Sequence, residues 1–339
     1  MASKVAVWLT HYAAAGSNNE RVLPRAIESV LSQSYTDLTL YVFDNHSPGK
    51  SPQIIEEFAR KDPRTIKVEV PDGIAGIPMA NFAWKFLNDK GHDYSITIGG
   101  HDFWNGPDFL KTLVERMDLE TAARNGNPDI AIVYADTLQV NEADEVCGRF
   151  QNIMQVGQIP RQFIPQFVLT GLDSPPFFGL WNEKVRRRVP IRYECCGFDH
   201  FVVMHATLKG MLLYEGRATL VMRAPPGGDG PDKYGQRHLS KENLARGQQD
   251  FIDQLEWAVH CIDEALVDAP AEQKATMRMM LTGSMFGTYL ILRPHNLFAI
   301  PDAYAQFTSN PLVIEAMKGL HHTMRFVDAM IKTSRPGVC

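Results

Sequence analysis

Along the first 136 residues, stretches of helical hydrophobic spacing alternate with stretches in which every second residue is apolar. Leu23, Ile27 and Val30 recur at the spacing of one helix face, and Leu38 and Leu40 then begin an alternating strand. Further strands are predicted at Val5 to Thr10, Ile66 to Val70, Tyr94 to Ile98 and Asp129 to Asp136, and further helices near residues 54–58, 79–86 and 107–122. This alternation favours right-handed crossovers between strands. The sequence therefore predicts an α/β fold, with a Rossmann-like, mostly parallel sheet flanked by helices.

The second half of the chain has a different pattern. Residues 225–238, PPGGDGPDKYGQRH, contain three prolines and four glycines, which exclude regular structure. Beyond residue 240 the spacing is helical, with one apolar stripe through Phe251, Leu255, Val259 and Ile262 and a seam through Val313, Met317, Leu320, Met324, Val327 and Ile331. We therefore predict a domain of residues 1–240 and a helical carboxyl-terminal subdomain of residues 241–339. The seam must be covered by the chain's own helices or by a second copy, and a homodimer is favoured.

Composition narrows the class of protein. The chain has 339 residues, of which 45% are apolar and 22% are charged, as in ordinary soluble proteins. A net charge of −5 gives no electrostatic reason to expect nucleic acid as a partner. The five cysteines are odd in number and lack scaffold or metal-ligand spacing. No signal peptide is recognisable, and the most apolar stretch, Met279 to Leu292, is shorter than the roughly 20 residues that span a bilayer. We therefore expect a cytoplasmic protein.

One segment carries a recognisable motif. The helix sequence AIESVLSQSY, residues 26–35, leads into the strand that ends on Asp44 and Asn45, with Ser47 shortly after. Together with the turn Thr10-His11-Tyr12-Ala13 after the first strand, this order resembles the amino-terminal half of family 2 glycosyltransferases of the GT-A fold. The resemblance is close through about residue 110, patchy to about residue 240 and absent beyond. It implies a GT-A domain that binds a nucleotide sugar.

The resemblance also implies an activity. An inverting enzyme of this family moves one sugar from a nucleotide diphosphate sugar to a hydroxyl group of a glycan, a lipid-linked acceptor or a protein. The usual setting is surface polysaccharide biosynthesis, at the inner face of the membrane as a peripheral protein. A sugar-phosphate nucleotidyltransferase would need a glycine-rich, arginine-containing loop after the first strand, and residues 11–16 do not supply one. The alternative is a non-catalytic relative that binds a nucleotide sugar or a protein partner.

The nucleotide pocket is expected at the carboxyl edge of the sheet, where open α/β sheets bind ligands. By resemblance, Asp44 accepts a hydrogen bond from the base, because a carboxylate suits the ring N–H of a pyrimidine or the paired N–H groups of guanine. The alternative is that Asp44 only caps the turn through Ser47. The other residues that the resemblance assigns to the nucleotide sugar are Thr10, Tyr12, Asn45, Gly73, Gly76, Asn81, His101, Asp102, Arg223 and Arg237.

The tetrapeptide Gly99-Gly100-His101-Asp102 stands where the family carries Asp-x-Asp, which holds a divalent cation on the diphosphate. Glycine replaces the first acid, so the resemblance implies Mn²⁺ or Mg²⁺ held by Asp102, with His101 or His238 assisting. The degenerate motif leaves metal dependence open, and without a cation the nearby arginines would neutralise the leaving diphosphate. The alternative is that His101 and Asp102 only end the strand through a hydrogen bond.

A third motif, Cys196-Gly197-Phe198-Asp199-His200, resembles the acid-bearing motif near the start of a helix in the acceptor half of the family. There the acid is the general base that deprotonates the acceptor hydroxyl. Asp199 is therefore the expected catalytic residue. The alternative is an aspartate that only occupies a first helical turn, where the helix dipole favours a negative charge.

Overall fold

A computed structural model of the chain describes residues 2–13, 15–71, 77–125, 129–150, 175–189, 199, 202–203, 206, 209–223, 248–249, 251–253, 255–256, 258–260, 262–263, 266–292 and 301–321. The chain divides into two compact units. The first comprises residues 1–158, 173–191 and 209–228, and the second comprises residues 159–172, 192–208 and 229–339. Two segments that precede residue 240, residues 159–172 and 192–208, belong to the second unit together with the carboxyl-terminal part. The predicted domain boundary at residue 240 stays a prediction.

Nine strands of the described residues form one sheet in the first unit. They are β1 (Val5–His11), β2 (Leu38–Asp44), β3 (Thr65–Val68), β4 (Tyr94–Gly99), β5 (Phe103–Trp104), β6 (Ile130–Val140), β7 (Val146–Phe150), β8 (Leu180–Asn182) and β9 (Met211–Arg223). The helices of this unit are α1 (Asn18–Leu31), α2 (Ser51–Lys61), α3 (Ile77–Leu87), α4 (Phe109–Ala123) and the short α5 (Glu183–Arg186). A 3-10 turn spans Pro175–Phe178.

The order of strands in the sheet is β3-β2-β1-β4-β8-β6-β9-β5, and β7 pairs with β6. β1 pairs in parallel with β2 and with β4, β2 pairs in parallel with β3, and β6 pairs in parallel with β9. β8 runs antiparallel between β4 and β6. The predicted, mostly parallel sheet with flanking helices is therefore confirmed. The carboxyl ends of β1, β2 and β4 lie at one edge, and the loops that follow these strands begin there.

Alternating residues of the central strands pack on opposite faces of this sheet. On one face, Val7 and Leu9 of β1 join Leu23 and Ile27 of α1 in the main apolar core. On the other face, the aromatic rings of β1, α3, the 3-10 turn and β8 pack with centroids 5.0 to 6.1 Å apart, through Trp8, Trp84, Phe177 and Trp181. Burial of each large apolar side chain stabilises the fold by about 1.5–3 kcal/mol. Both faces of the strands that lead to the edge are thus covered, which fixes the strand ends.

The second unit is helical in its described part, as the sequence predicted. It contains α6 (Ala271–Leu292) and α7 (Pro301–Ser309), with further helical residues between 248 and 263 and at 311–321. Phe251, Phe286 and Phe307 pack their rings with centroids 6.0 to 6.5 Å apart. Within the part of the chain that the structure describes, we find no helix with the length and apolar character needed to cross a membrane.

The predicted seam is only partly correct. Val313 is buried, but Met317 is 41% exposed, and Ala316 and Gly319 occupy the buried positions instead. The physical reason is a close helix crossing, because a Cβ on Gly319 would overlap the backbone of α6 near Gly283. Small residues therefore face inward where the two backbones approach. The later members of the seam, Met324, Val327 and Ile331, lie outside the described residues, and the homodimer stays a prediction.

Candidate functional site at the carboxyl edge of the sheet

The loops that follow β1, β2 and β4 start beside one another. His11 is the register partner of Asp44 at the ends of β1 and β2. Two backbone hydrogen bonds extend this pairing past the strands, from Asn45 N–H to the His11 carbonyl at 2.8 Å and from Gly100 N–H to the Thr10 carbonyl at 3.0 Å. The side chains that leave this edge therefore start from fixed positions, at the place where α/β sheets bind ligands.

Asp44 is 9% exposed and is held by its own turn. Its Oδ1 accepts the Ser47 hydroxyl at 2.5 Å and the Ser47 backbone N–H at 3.4 Å. The Ser47 oxygen in turn accepts the backbone N–H of Ala13 at 3.0 Å, which ties the turn to the loop after β1. The cap that the sequence offered as an alternative is thus formed. Because these bonds use Oδ1, the turn also orients the carboxylate, and Oδ2 carries no hydrogen bond from the described residues.

A second carboxylate joins the loops after β1 and β2. Glu20, in the first turn of α1, accepts the Gly16 N–H at 3.0 Å and also the backbone N–H of Lys50. These hydrogen bonds, that of Lys50 first, lower the pKa of the Glu20 carboxyl. Ser17 caps the same helix by accepting the Glu20 N–H at 3.5 Å. The Ser-x-x-Glu spacing is that of a capping box, a signal that would have identified Glu20 in the sequence.

His11 is a further residue at this edge for which the sequence predicted no role. Its imidazole is 4% exposed, and its Nε2 lies 2.9 Å from the hydroxyl oxygen of Ser51, the first residue of α2. Burial lowers the pKa of His11 to about 4, although the charge of Asp44 opposes that shift. His11 is therefore neutral at pH 7. In the sequence, His11 is one residue of the turn after the first predicted strand. Neither its residue type nor its position there indicates its burial or its contact with Ser51.

The turn after β4 buries the acid that the resemblance places on a metal. Asp102 is 2% exposed, and its Oδ1 accepts the backbone N–H of Arg223 at 3.0 Å. Burial raises the pKa of Asp102. His101 has 43% of its side chain exposed, and its Nε2 lies 3.6 Å from Oδ1 of Asp102. That distance is too long for a hydrogen bond, so the pair does not end the strand in the way offered as an alternative.

The side chain of Arg223 binds the turn between β6 and β7. Its guanidinium donates to the carbonyl oxygens of Asn141 at 2.9 Å and Glu142 at 3.5 Å and forms an ion pair with Asp144. Asp144 also pairs with Arg25 of α1 at 2.8 Å. The hydrogen bond from Arg223 is the main reason that the pKa of Asp144 is lowered. These contacts engage the guanidinium in the fold, so the expected role of Arg223 on a diphosphate stays a prediction.

The described residues do not fit a divalent cation. A bound cation needs several oxygen or nitrogen ligands around one point. No cluster of three or more His, Cys, Asp or Glu side chains that could hold a metal occurs among the described residues. Gly99 offers no side-chain ligand, and Asp102 already uses one oxygen on a backbone N–H. His238 lies outside the described residues, and the predicted ligand set stays a prediction.

The remaining predicted residues fall into three groups. Thr10 and Asn45 are half-buried at the ends of β1 and β2, Tyr12 is exposed after β1, and Asn81 is half-buried on α3. Asp199 is a half-buried helical residue of the second unit. Four further predicted residues lie outside the described part: Gly73, Gly76, Arg237 and His238. The predicted residues that the structure brings to one edge are Thr10, Asp44, Asn45, His101 and Asp102.

Comparison with known proteins supports a glycosyltransferase. Residues 17–125 match the family model described as Glycosyl transferase family 2. S. aureus TarS 1-349 in complex with UDP-GlcNAc superposes with a TM-score of 0.57 at 13% identity, covering 98% of this chain and 92% of that one. The same TarS fragment in complex with UDP gives a TM-score of 0.52 at 15% identity over the same shares. A search of curated protein sequences found no match. The expected GT-A fold and the expected resemblance are thereby confirmed.

Proposed function

We propose that the chain, whose residues 17–125 match the family model described as Glycosyl transferase family 2, is an inverting glycosyltransferase that uses a nucleotide diphosphate sugar. The observation that carries this proposal is the carboxylate of Asp44, oriented by Ser47 at the carboxyl edge of the sheet. A fixed carboxylate at this edge is suited to accept an N–H from a nucleotide base. The acceptor is a hydroxyl group on a glycan, a lipid-linked oligosaccharide or a protein.

The geometry of Asp44 favours uracil as the base. Ser47 occupies Oδ1 with both its hydroxyl and its backbone N–H, so a ligand has Oδ2 to bind. Uracil offers a single ring N–H, whereas guanine offers a pair of N–H groups that matches two carboxylate oxygens. The donor that fits one available oxygen is a uridine diphosphate sugar. TarS, with the same fold, is described in complexes with UDP-GlcNAc and with UDP, which agrees with this choice.

The proposed reaction is a single displacement. The acceptor oxygen attacks the anomeric carbon while the bond from that carbon to the diphosphate breaks, and the nucleoside diphosphate leaves with the bonding electrons. Asp199 takes the proton of the acceptor hydroxyl as the new bond forms. Charge on the leaving diphosphate needs a positive or hydrogen-bonding partner, for which His101 and Arg237 are the proposed groups. A cation is part of the family pattern, but no step is assigned to it because the described residues do not fit one.

We extend the proposal to the cellular setting that the resemblance implies. The chain would act in surface polysaccharide biosynthesis as a cytoplasmic enzyme, peripheral at the inner face of the membrane. Its carboxyl-terminal helices would form a homodimer. These statements rest on the resemblance and on the helical sequence pattern, and light scattering over a range of concentrations tests the dimer directly.

The nucleotide preference tests the proposal. We expect isothermal titration to give tighter binding of UDP than of GDP by about tenfold, the equivalent of one hydrogen bond to a charged group. Ser47→Ala removes the shorter of the two hydrogen bonds to Oδ1 of Asp44, that from the hydroxyl, and should therefore narrow the ratio of UDP affinity to GDP affinity. Ser34→Ala is the matched control, because Ser34 also donates to an aspartate, at 2.6 Å to Asp108, outside the proposed site. Tighter binding of GDP by the wild type, or an unchanged ratio in Ser47→Ala, would contradict the assignment.

Gly99 keeps a second function open. Because glycine replaces the first acid of the family motif, a non-catalytic relative that only binds the nucleotide sugar remains an alternative. Incubation with UDP sugars, with and without Mn²⁺, separates the two. Release of UDP favours the enzyme, whereas tight binding without any release of UDP under either condition favours the binding protein.

A further inference from the structure

Gly100 is required by a neighbouring side chain rather than by its backbone conformation. The glycines with positive φ among the described residues are Gly16, Gly91 and Gly106, so the backbone at position 100 would accept an L residue. A Cβ at this position would nevertheless overlap Nδ1 of His11 and lie 2.9 Å from its Cγ. The imidazole therefore packs directly on the backbone of the turn after β4, with no room for a methyl group between them.

The same imidazole is held from its other side. Its Nε2 forms a hydrogen bond of 2.9 Å with the hydroxyl of Ser51, which is fully buried at the start of α2. A neutral imidazole has one donor and one acceptor nitrogen, and a serine hydroxyl can pair with either, so this bond fixes the orientation of the ring. The ring thus spans the distance from α2 to the backbone of Gly100.

These contacts suggest more than a role in stability. We propose that His11 is a positioning residue for the donor. It holds the turn of residues 99–102, and with it the partly exposed His101, at the distance from Asp44 that a nucleotide diphosphate needs. The inference rests on the proposed function, in which Asp44 binds the base and this turn faces the diphosphate. His11 itself touches neither the base nor the reacting atoms in this proposal.

A histidine that only stabilises the fold would behave differently, and the chain contains a matched example. His92 precedes β4, at the opposite end of that strand from the turn, and its Nε2 lies 3.0 Å from the hydroxyl oxygen of Tyr41. Burial lowers the pKa of His92 as it does that of His11. His92→Ala therefore removes a comparable imidazole and a comparable hydrogen bond without touching the turn. It should lower the melting temperature and leave ligand binding unchanged.

The experiment compares UDP with uridine, because uridine contains the base and lacks the diphosphate. UDP affinity is measured by isothermal titration and uridine affinity by competition. We expect His11→Ala to weaken UDP binding by about tenfold, the equivalent of about 1.4 kcal/mol, and to leave uridine binding unchanged. His11→Gln places an amide near the position of Nε2, retains the bond to Ser51 and should restore most of the UDP affinity. Ser51→Ala should resemble His11→Ala and provides a second route if that variant does not fold.

A double variant tests the packing directly. Gly100→Ala should weaken UDP binding because its methyl group overlaps the imidazole, whereas His11→Ala makes space for that methyl group. The double variant should therefore bind UDP no more weakly than His11→Ala alone, a clear departure from additivity. Gly148→Ala is the control glycine, since its nearest neighbour is the flexible end of the Gln139 side chain at 3.0 Å. Additive losses in the double variant would overturn the proposed contact.

The outcomes separate this inference from the function on which it rests. Absence of UDP binding by the wild type would overturn the proposed function and the role of His11 together. Wild-type UDP binding that His11→Ala and Ser51→Ala leave unchanged would overturn the role of His11 alone. Equal losses of UDP and uridine affinity would also overturn it, because His11 would then act on the base side of the site and not on the turn.

Discussion

Two aspartates lie at the carboxyl ends of the strands on either side of β1, and their surroundings differ. Asp44, the last residue of β2, is held through Oδ1 by a serine of its own turn. Asp102, after β4, is buried more deeply and accepts a backbone N–H from β9, a strand more than 100 residues later in the chain. The turn after β2 orients the carboxylate of Asp44 and uses only one of its oxygens. The carboxylate of Asp102 instead links the turn after β4 to β9. Location at the carboxyl edge therefore does not by itself make an acid a ligand-binding group.

The surroundings of Asp102 also change the pKa of its carboxyl group. Burial raises the pKa of Asp102, which means that the folded protein holds the proton of this carboxyl more tightly than the unfolded chain does. One oxygen of this carboxyl also accepts the backbone N–H of Arg223, which ties the side chain to β9. The comparison predicts that Asp44 binds ligand and Asp102 supports structure. Substitutions of acidic residues test that difference.

Substitution of Asp199, the proposed base, is expected to have the largest effect. It should affect catalysis and not nucleotide binding, whereas substitution of Asp44 should affect binding. Asp199→Asn keeps the shape of the side chain and removes its basicity. Turnover should fall by about 10²–10⁴-fold, the usual contribution of general base catalysis. UDP binding should remain nearly unchanged, because the base acts mainly in the transition state. Initial rates and UDP titrations on the same preparation provide both measurements.

A control for this substitution is available in the same unit. Asp253 is also a helical aspartate, and it accepts a hydrogen bond from Gln249 at 2.8 Å. Asp253→Asn should leave turnover at the wild-type level. If Asp199→Asn also transfers sugar at the wild-type rate, Asp199 is only an acid near a helix terminus and the proposed base is wrong.

The next effect is expected at Asp44. Asp44→Ala removes the acceptor for the base and should weaken UDP binding by roughly 1.5–3 kcal/mol, as for a hydrogen bond to a charged group. Asp93→Ala is a suitable control, because Asp93 accepts the Lys4 N–H at 2.8 Å next to the start of β4. Calorimetry on folded protein gives both affinities. An unchanged affinity in Asp44→Ala would remove Asp44 from the site and leave it with only its turn.

The sequence predicted five of the nine strands, β1 to β4 and β6, because their signals are local, and it did not predict β5, β7, β8 or β9. Alternating apolar residues ended β2 at Asp44, and the structure confirms that boundary. The first strand, by contrast, extends one residue beyond the predicted end to His11. The prediction failed for Met317 because the seam was inferred from apolar spacing alone. The close crossing of Gly319 and α6 depends on two helices at once, which a periodic pattern in one of them does not encode.

The site was less predictable for the same physical reason. Asp44 could be identified because its strand and its turn are contiguous in sequence. The burial of Asp102 depends on Arg223, and the position of His11 depends on Gly100 and Ser51, all distant in sequence from the residue they contact. The metal role of Asp102 was expected from the resemblance of residues 99–102 to the family's Asp-x-Asp motif. The backbone N–H that donates to the Asp102 carboxylate belongs to Arg223 of β9, and only the structure identifies it.

The smallest effect on ligand binding is expected at Asp102, where the two interpretations of the β4 turn disagree. Asp102→Asn keeps an oxygen for the Arg223 N–H and removes the titrating proton. If Asp102 supports structure and does not touch the ligand, UDP affinity should change by less than about threefold, the equivalent of about 0.7 kcal/mol. Turnover should also survive exhaustive chelation. Loss of turnover on chelation, with restoration by Mn²⁺ in the wild type but not in the variant, would instead favour the metal role.

The pH dependence of stability gives an independent test of the same substitution. The pKa of Asp102 is raised in the folded state, so the native protein binds more protons than the unfolded chain, and wild-type stability should fall as pH rises from the ordinary carboxyl pKa of about 4 up to the raised value. Asparagine does not titrate. The stability of Asp102→Asn relative to the wild type should therefore increase with pH over that window and then level off. Urea unfolding of both proteins across the window measures the difference, and a relative stability that decreases with pH would mean that a positive partner stabilises the carboxylate in solution.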